Sequence, residues 1–173
     1  MAKAFLSGNE ALAQGVWEGG LHFATGYPGT PSTEILETIA ARFPEVECQW
    51  AVNEKVAVEV AGGASFGGAR AMATMKHVGL NVAADPFFSL SFAGASGGLL
   101  IVSADDPGMH SSQNEQDNRY YARAARCPMV EPSSSQEARD FAIQALEISE
   151  QFEAPILFRM TTRICHSKGI VET

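Results

Sequence analysis

The 173-residue sequence is short of basic residues, has few cysteines and lacks a long apolar segment free of polar side chains. It contains 12 Lys and Arg against 20 Asp and Glu, for a formal net charge of −8. Such a chain repels a phosphate backbone and an anionic membrane surface. We therefore expect neither nucleic acid nor a membrane among its partners.

The three cysteines, Cys48, Cys127 and Cys165, are odd in number and far apart. No pair has the spacing of a zinc site or an iron–sulfur site, so we expect no metal ion and no cluster on this chain. Reduced thiols are typical of a cytoplasmic protein, because disulfides persist mainly in oxidising compartments. The first residues carry no apolar run of the signal-peptide type, which favours the same location.

One uncharged stretch, residues 86–104, is nearly long enough to span a bilayer. It contains four serines and three glycines, which a spanning helix would not favour. We interpret it as a buried helix, a turn at residues 96–98 and a buried strand.

Short apolar runs alternate with amphipathic segments along the chain. The apolar runs predict six strands, at residues 21–25, 46–52, 71–75, 99–104, 129–131 and 155–158. The amphipathic segments predict helices at residues 9–17, 30–43, 53–66, 80–92 and 114–125 and one that begins after Ser134. Strands separated by helices imply a three-layer α/β fold, in which a mostly parallel six-stranded sheet has helices on both faces. We expect a single domain over residues 1–173.

Ligands of such a sheet bind outside the carboxyl ends of its strands, so the segments that follow the strands carry the functional information. These segments are polar and rich in glycine, and they comprise residues 26–32, 53–54, 76–81, 105–113 and 159–163.

Several of these segments also have a purely structural interpretation. Thr30 is expected to cap a helix with Pro31 at its first position, and Asn53 to cap the next helix. The four glycines between residues 62 and 68 match no dinucleotide or phosphate motif, and we expect them to allow close helix–sheet packing.

Four segments, taken in order, resemble the 2-oxoacid:ferredoxin oxidoreductases, and within that family the branch that acts on indolepyruvate. They are GYPGTPSTEI at residues 26–35, VNEKVAVEVAGGASFGGARAMATMKHVGLN at 52–81, ADDPGMHSSQNEQD at 104–117 and RMTTRICHS at 159–167. The resemblance covers nearly the whole chain. It implies the domain that binds the pyrimidine ring of thiamine diphosphate, and a reaction in which an aryl 2-oxoacid such as indolepyruvate is oxidatively decarboxylated.

The resemblance also implies partners, because the family binds thiamine diphosphate between two domains. A diphosphate-binding domain or subunit would supply Mg²⁺, since the Gly-Asp-Gly motif of the magnesium site is absent from this sequence. The iron–sulfur clusters that pass electrons to ferredoxin would likewise lie elsewhere in the complete enzyme. We expect the isolated chain to be inactive and to form a homo-oligomer through an uncovered apolar face that includes Phe87, Phe88 and Phe92.

Residue roles are carried over from the family position by position. Glu54 matches the Glu that hydrogen-bonds the pyrimidine ring, where its proton favours the imino tautomer that deprotonates the thiazolium carbon. The remaining cofactor contacts implied are Gly26, Tyr27, Pro28, Gly29, Thr30, His77 and Asn81. The substrate contacts implied are Thr30, Lys76, His110 and Arg163.

The sequence departs from the pyruvate-type pattern at the end of the fourth predicted strand. Pyruvate-type members have an Arg there for the substrate carboxylate, whereas this chain has Asp105 and Asp106. The departure argues against pyruvate as the substrate and leaves Arg159 or Arg163 as the candidate cation.

Two other functions stay open at this point. One is the pyrimidine-binding subunit of a non-oxidative 2-oxoacid decarboxylase of the sulfopyruvate type, which ferredoxin reduction in the assembled complex would distinguish. The other is a non-catalytic assembly domain, against which Glu54 argues, because a purely structural copy needs no acid at that position.

Overall fold

Six strands form one parallel sheet in the computed structural model, which describes residues 2–173; Met1, the first residue of the predicted domain, lies outside this range. The strands are β2 (Phe23–Gly26), β3 (Glu47–Trp50), β4 (Ala71–Lys76), β5 (Leu99–Asp105), β6 (Met129–Val130) and β7 (Ile156–Thr161). Their order across the sheet is β3-β2-β4-β5-β7-β6, and every neighbouring pair is parallel. The predicted six-stranded sheet is confirmed.

Helices cover both faces of this sheet, as predicted. They are α1 (Gly8–Glu18), α2 (Thr33–Arg42), α3 (Glu54–Phe66), α4 (His77–Val82), α5 (Ala84–Ala93), α6 (Arg119–Ala125), α7 (Ser135–Phe152) and α8 (Thr162–His166). Helices α1, α2 and α7 share one apolar core with the sheet, whose largest members include Leu12, Ile39 and Phe158. Helices α3 to α6 share a second core, which contains Phe87 and Ile101.

A separate two-stranded ribbon joins the two ends of the described chain. Strand β1 (Lys3–Ser7) pairs antiparallel with β8 (Lys168–Glu172), and Phe5 stands opposite Ile170. Leu6 and Val171 are buried, whereas Phe5 and Ile170 are both 67% exposed. The sequence pattern predicts no strand at either place, because each strand is stabilised by a partner from the far end of the chain.

Three predicted helices differ from those of the structure. Helix α2 begins at Thr33 and not after Thr30, because the preceding turn closes on itself: Ser32 Oγ donates to Gly29 O at 2.7 Å, and Gly29 N donates to Thr33 Oγ1 at 2.8 Å. The predicted helix at 80–92 is two helices, α4 and α5, that meet at Ala83. Helix α6 begins only at Arg119, and the side chains of Asn114, Gln116 and Asn118 before it hydrogen-bond to His77.

The apolar surface also differs in part from the prediction. Phe87 is fully buried in the second core, so it cannot contribute to an interface, whereas Phe92 is 83% exposed. The uncharged stretch divides into α5, a turn and β5, and within residues 2–173 no helix is long and apolar enough to cross a membrane.

The glycines of α3 serve different purposes. Gly62 allows α3 to pack on α5, because an added Cβ would lie 2.9 Å from Leu90 Cδ2. Gly63 faces open space, with nothing within 4 Å of an added Cβ, so close packing within the described chain does not explain it. Gly68 has a φ of +87° and turns the chain after α3, a conformation that glycine adopts without strain.

Candidate functional site

Four central strands end side by side at what we call the carboxyl edge, formed by Gly26, Lys76, Asp105 and Thr161. The strand register aligns Gly26 with Thr74, Lys76 with Ala104 and Asp105 with Thr161. The segments predicted to contact ligand leave the sheet along this edge, so the topology brings most of them together.

Glu54 is the first residue of α3, directly after its cap. The Asn53 side chain accepts a hydrogen bond from Val56 N at 2.9 Å, which fixes the start of the helix. Glu54 is only 9% exposed, and its carboxylate packs against α4: a Cβ added to Gly79 would lie 2.6 Å from Glu54 Cγ and 2.7 Å from Oε1. A larger residue at position 79 would therefore force this side chain to move.

The Glu54 carboxylate has no protein partner in the described chain. The polar contacts around it join Asn53 to Val56 and Lys55 to Asp85 and Glu59, and none within residues 2–173 reaches its oxygens. These oxygens are not among the fully buried unpaired atoms of the described chain, so a ligand at the carboxyl edge can reach them. This arrangement suits a group that exchanges a proton with a donor or acceptor on a ligand.

Lys76 connects two of the predicted segments. Its aliphatic part lies against the glycine turn, since a Cβ added to Gly29 would be 3.1 Å from Lys76 Cβ. Its Nζ donates a hydrogen bond to the carbonyl of Ser111, one residue beyond His110. The structure thus brings the turn after β2, the end of β4 and the segment that carries His110 to one place.

The turn after β2 exposes three of its predicted ligand contacts. Tyr27, Pro28 and Thr30 are exposed, and Gly29 is half-buried. Gly26 is buried, and an added Cβ there would lie 2.7 Å from the carbonyl oxygen of Thr74, so this glycine permits close approach of β2 and β4.

His77 is fully buried and holds a neighbouring loop. Its Nε2 lies 2.9 Å from Asn114 Oδ1, and its carbonyl accepts hydrogen bonds from Gln116 and Asn118, both at 3.1 Å. Within the described chain, the buried Nδ1 has no partner. The ring is thus anchored by the protein, and as a predicted cofactor contact it is not exposed to a ligand in this structure.

Asn81 is also engaged by the same loop. Asn81 Nδ2 donates to Gln116 Oε1 at 2.9 Å, and Gln116 Nε2 donates to Asn81 Oδ1 at 2.8 Å. The Tyr121 hydroxyl also donates to Asn81 Oδ1, at 2.6 Å. A ligand that binds Asn81 would have to share or replace these contacts.

Of the two arginines that could serve as a substrate cation, Arg159 is excluded. It is 4% exposed, its Nε donates to Asp105 Oδ2 at 2.7 Å, and its Nη1 donates to Glu131 Oε1 at 2.5 Å. Arg163 is exposed and lines a cleft of about 600 Å³ beside the start of α7. That cleft follows β6 and β7, on the other side of β5 from β4, so Arg163 lies apart from Glu54 and Lys76.

Asp105 and Asp106 were noted in the sequence only as a departure, yet both are buried at the centre of the carboxyl edge. Asp105 accepts hydrogen bonds from Ser103 Oγ and Asn118 N in addition to its ion pair with Arg159. The sequence signal for this buried pair was the presence of two acids where the pyruvate-type pattern has an Arg. Their hydrogen-bond partners lie on β7, in the loop after β5 and at the start of α8, and a local sequence pattern does not reveal such contacts.

A family of known proteins matches most of the chain. The family model described as Pyruvate flavodoxin/ferredoxin oxidoreductase, thiamine diP-bdg (thiamine diphosphate-binding) matches residues 14–173. The chain belongs to this family. The family resemblance seen in the sequence is therefore confirmed.

Curated relatives agree with this placement. The chain is 55% identical to indolepyruvate oxidoreductase subunit IorA of Archaeoglobus fulgidus, an alignment that covers 98% of this chain and 28% of the relative. It is 50% identical to the subunit of the same name from Pyrococcus horikoshii, over 98% of this chain and 26% of the relative. A 2-oxoglutarate synthase subunit KorA from Methanocaldococcus jannaschii is 29% identical, over 97% of this chain and 48% of the relative. The chain thus spans about a quarter of the IorA relatives.

The fold is also that of a solved structure. The 2-oxoglutarate:ferredoxin oxidoreductase from Magnetococcus marinus, with 2-oxoglutarate, coenzyme A and succinyl-CoA bound, superimposes with a TM-score of 0.88 at 20% identity. The match covers 97% of this chain and 31% of that one. At this identity it supports the fold alone.

Proposed function

We propose that the chain is the pyrimidine-binding domain of a thiamine diphosphate-dependent 2-oxoacid:ferredoxin oxidoreductase that oxidatively decarboxylates an aryl 2-oxoacid such as indolepyruvate. The observation that carries the proposal is Glu54, a largely buried carboxylate at the carboxyl edge without a partner in the described chain. Identity of 55% to an indolepyruvate oxidoreductase subunit, against 29% to a 2-oxoglutarate synthase subunit, supports the aryl substrate.

The residues at the edge fit the pyrimidine ring of the cofactor. Gly79 leaves room for the Glu54 side chain, and the carboxyl group, when it carries a proton, can donate a hydrogen bond to a ring nitrogen. Bound thiamine diphosphate supplies the carbanion chemistry of decarboxylation, and the protein orients and tunes it. Glu54 holds and returns a proton at its carboxylate, and the walls formed by α3 and α4 limit the access of water to it.

The other predicted contacts keep their roles within this proposal. The cofactor contacts are Gly26, Tyr27, Pro28, Gly29, Thr30, His77 and Asn81, and the substrate contacts are Thr30, Lys76, His110 and Arg163. Lys76 is the best placed cation, because its stem lies on the Gly29 turn and its Nζ reaches the segment that carries His110. Arg163 has weaker support, since it lines the separate cleft beside α7.

The proposal includes partners that complete the enzyme. A diphosphate-binding domain or subunit supplies Mg²⁺, and iron–sulfur clusters elsewhere pass electrons to ferredoxin; relatives that are about four times longer leave room for such parts. A second copy of the chain covers the apolar face around Phe92, which makes the protein a homo-oligomer. The free thiols of Cys48, Cys127 and Cys165 support a cytoplasmic location.

The test is Glu54→Gln, assayed by proton exchange at the thiazolium carbon after reconstitution with the diphosphate-binding domain, thiamine diphosphate and Mg²⁺. Gln keeps the size of the side chain but not its transferable proton, so exchange should slow by roughly 10²–10⁴-fold. Glu59→Gln, on the exposed face of the same helix, is the matched control and should exchange as fast as the parent. Equal rates in the Glu54→Gln variant and the parent would show that Glu54 serves only as part of the helix start.

Ferredoxin reduction separates this function from the non-oxidative alternative. The assembled enzyme should reduce ferredoxin when it is given an aryl 2-oxoacid. The names of the relatives, which are oxidoreductases and synthases, favour this outcome. Release of an aldehyde without reduction of ferredoxin would favour the non-oxidative decarboxylase.

A further inference from the structure

The β5–α6 loop (residues 106–118) is attached to the carboxyl edge at two separate places. Its C-terminal half is held by Asn118, which donates to Ser103 Oγ at 2.6 Å, and by Gln116, which donates to the carbonyl of His77. Its N-terminal half, which carries His110, is held by Lys76, whose Nζ donates to the carbonyl of Ser111, and by a second group. That group is Asp106.

Both carboxylate oxygens of Asp106 bind the protein. Oδ2 accepts hydrogen bonds from Ser111 N at 2.8 Å and from Ser112 Oγ at 2.6 Å. Oδ1 accepts one from Thr162 Oγ1, at the start of α8, at 2.6 Å. Asp106 is 1% exposed, so these bonds are made away from water, where hydrogen bonds to a charged group are strongest.

The backbone of Asp106 shapes the tip of the loop. Its carbonyl accepts from Met109 N at 3.0 Å, and the turn so formed places Gly108 and Met109 at φ values of +86° and +52°. A methionine in the left-handed region costs energy and persists only where its surroundings hold it. The His110 ring lies over Gly108, where an added Cβ would be 3.2 Å from its Nε2.

We propose that Asp106 is a positioning residue for the 2-oxoacid: it fixes the tip of the β5–α6 loop to α8 and so holds His110 at the carboxyl edge, where His110 contacts the substrate. The assignment rests on the proposed function, because it takes His110 as a substrate contact.

The ionisation of Asp106 agrees with this role. Burial raises the pKa of its carboxyl, but hydrogen bonds from the Ser112 and Thr162 hydroxyls and from the amides of Ser111 and His110 outweigh burial and lower the pKa well below its ordinary value. The group is therefore an acceptor throughout the physiological range.

Hydrogen exchange on the full chain tests the attachment without any reference to catalysis. In Asp106→Ala the amide of Ser111 should exchange about 10- to 100-fold faster, because it loses a hydrogen bond to a charged acceptor. Asp106→Asn keeps an acceptor for Ser111 and should recover most of the protection. Glu115→Ala, an exposed carboxylate of the same loop, is the matched control and should leave Ser111 unchanged.

Protection of the β5 amides shows in the same experiment that each variant is folded. Should Asp106→Ala fail to fold, Ser112→Ala removes a single contact and should raise the exchange of the loop tip a few-fold. Unchanged protection of Ser111 in a folded Asp106→Ala or Ser112→Ala variant would overturn the inference.

Kinetics of the complete enzyme test the link to substrate. Asp106→Ala should raise KM for the 2-oxoacid about 10-fold and change kcat less, because it loosens a group that binds substrate. His110→Ala should have a similar effect, and the double variant should be no worse than either single one. Additive effects on KM would show that Asp106 does not act through His110.

Exchange at the thiazolium carbon distinguishes failure of this inference from failure of the proposed function. The rate of this proton exchange depends on Glu54, so it should be the same in Asp106→Ala as in the parent. Absence of exchange in the parent enzyme would contradict the proposed function. Normal exchange with an unchanged KM in Asp106→Ala would contradict the inference alone.

Discussion

Gly79 and Gly63 show at the residue scale how the same residue type can serve opposite purposes. Gly79 has no Cβ, and the Glu54 carboxylate occupies the space that a Cβ would take. Gly63 lies on the open side of α3, where an added Cβ meets nothing. The first glycine positions a functional group, whereas the second only weakens its helix unless another molecule approaches it closely.

Alanine at the two positions should therefore give opposite results. Gly79→Ala should displace Glu54 and slow exchange at the thiazolium carbon, on the order of 100-fold for a shift of about 1 Å. Gly63→Ala should stabilise the isolated chain by about 0.5–1 kcal/mol, as measured by denaturant unfolding. A Gly79→Ala variant with normal exchange would mean that Glu54 has another productive position.

A pH dependence follows from Asp106. Because its pKa is lower in the folded chain than in the unfolded chain, its stabilising effect is complete above the ordinary Asp pKa of about 3.9 and is lost as the pH falls below that value. The stability difference between the parent and Asp106→Ala should thus be constant near neutral pH and shrink below about pH 4. Urea unfolding of both proteins at several pH values measures it, and a difference that grows on acidification would contradict this sign.

At the scale of elements, Arg159 adds side-chain contacts to the backbone pairing of strands β5, β6 and β7. It lies on β7, pairs with Asp105 at the end of β5 and reaches Glu131 just after β6. Glu131 in turn binds Arg119 at the start of α6 at 2.7 Å. This network holds the short strand β6, which has only two residues in the sheet.

Arg159→Ala should be strongly destabilising, by about 3–5 kcal/mol, because it leaves the buried carboxylate of Asp105 without its cation. Arg163→Ala is the natural control, since the exposed Arg163 forms no ion pair within the described part of the chain, and it should change stability by less than about 0.5 kcal/mol. Thermal unfolding of the two variants makes the comparison. Equal stability of both would mean that the network contributes nothing to the fold.

The elements that the sequence predicted correctly are those that a local pattern determines. Strand β5 is a continuous apolar run buried on both faces, and α3 begins at a capping Asn, so both were placed within a few residues. The start of α6 was missed because Asn118 bonds to Ser103 and His77 instead of continuing a helix. The position of Glu54 followed from the end of β3, but its contact with Gly79 depends on how α3 meets α4, and no spacing along the chain reveals that.

At the scale of the whole molecule, both outer faces expose apolar side chains. Helices α3 and α5 expose Val60, Phe66 and Phe92, and α3 also carries the open Gly63. The opposite side exposes Phe152 at the end of α7, with Phe5 and Ile170 on the ribbon. The proposed function assigns the α3–α5 face, which includes Phe92, to a second copy, and variants on the two sides test that assignment.

Phe92→Ser should therefore weaken self-association by at least about 10-fold, since one buried Phe contributes about 1.5–3 kcal/mol. Phe152→Ser makes the same chemical change on the opposite face and should leave self-association unaltered. Sedimentation over a range of concentrations measures both. An equal loss in the two variants, or a parent that stays monomeric at high concentration, would contradict the assignment of this face.

The ribbon of β1 and β8 has a mechanical consequence. Ala2 and Thr173 exchange two backbone hydrogen bonds, at 3.1 Å and 3.0 Å, and the ribbon is antiparallel. A tensile force applied at these two residues would break the backbone hydrogen bonds of the ribbon one pair after another, beginning at this end. The parallel sheet would bear load only after the ribbon had opened. Glu54, at the start of α3, and Lys76, at the end of β4, would therefore keep their positions under a tension that already separates Ala2 from Thr173.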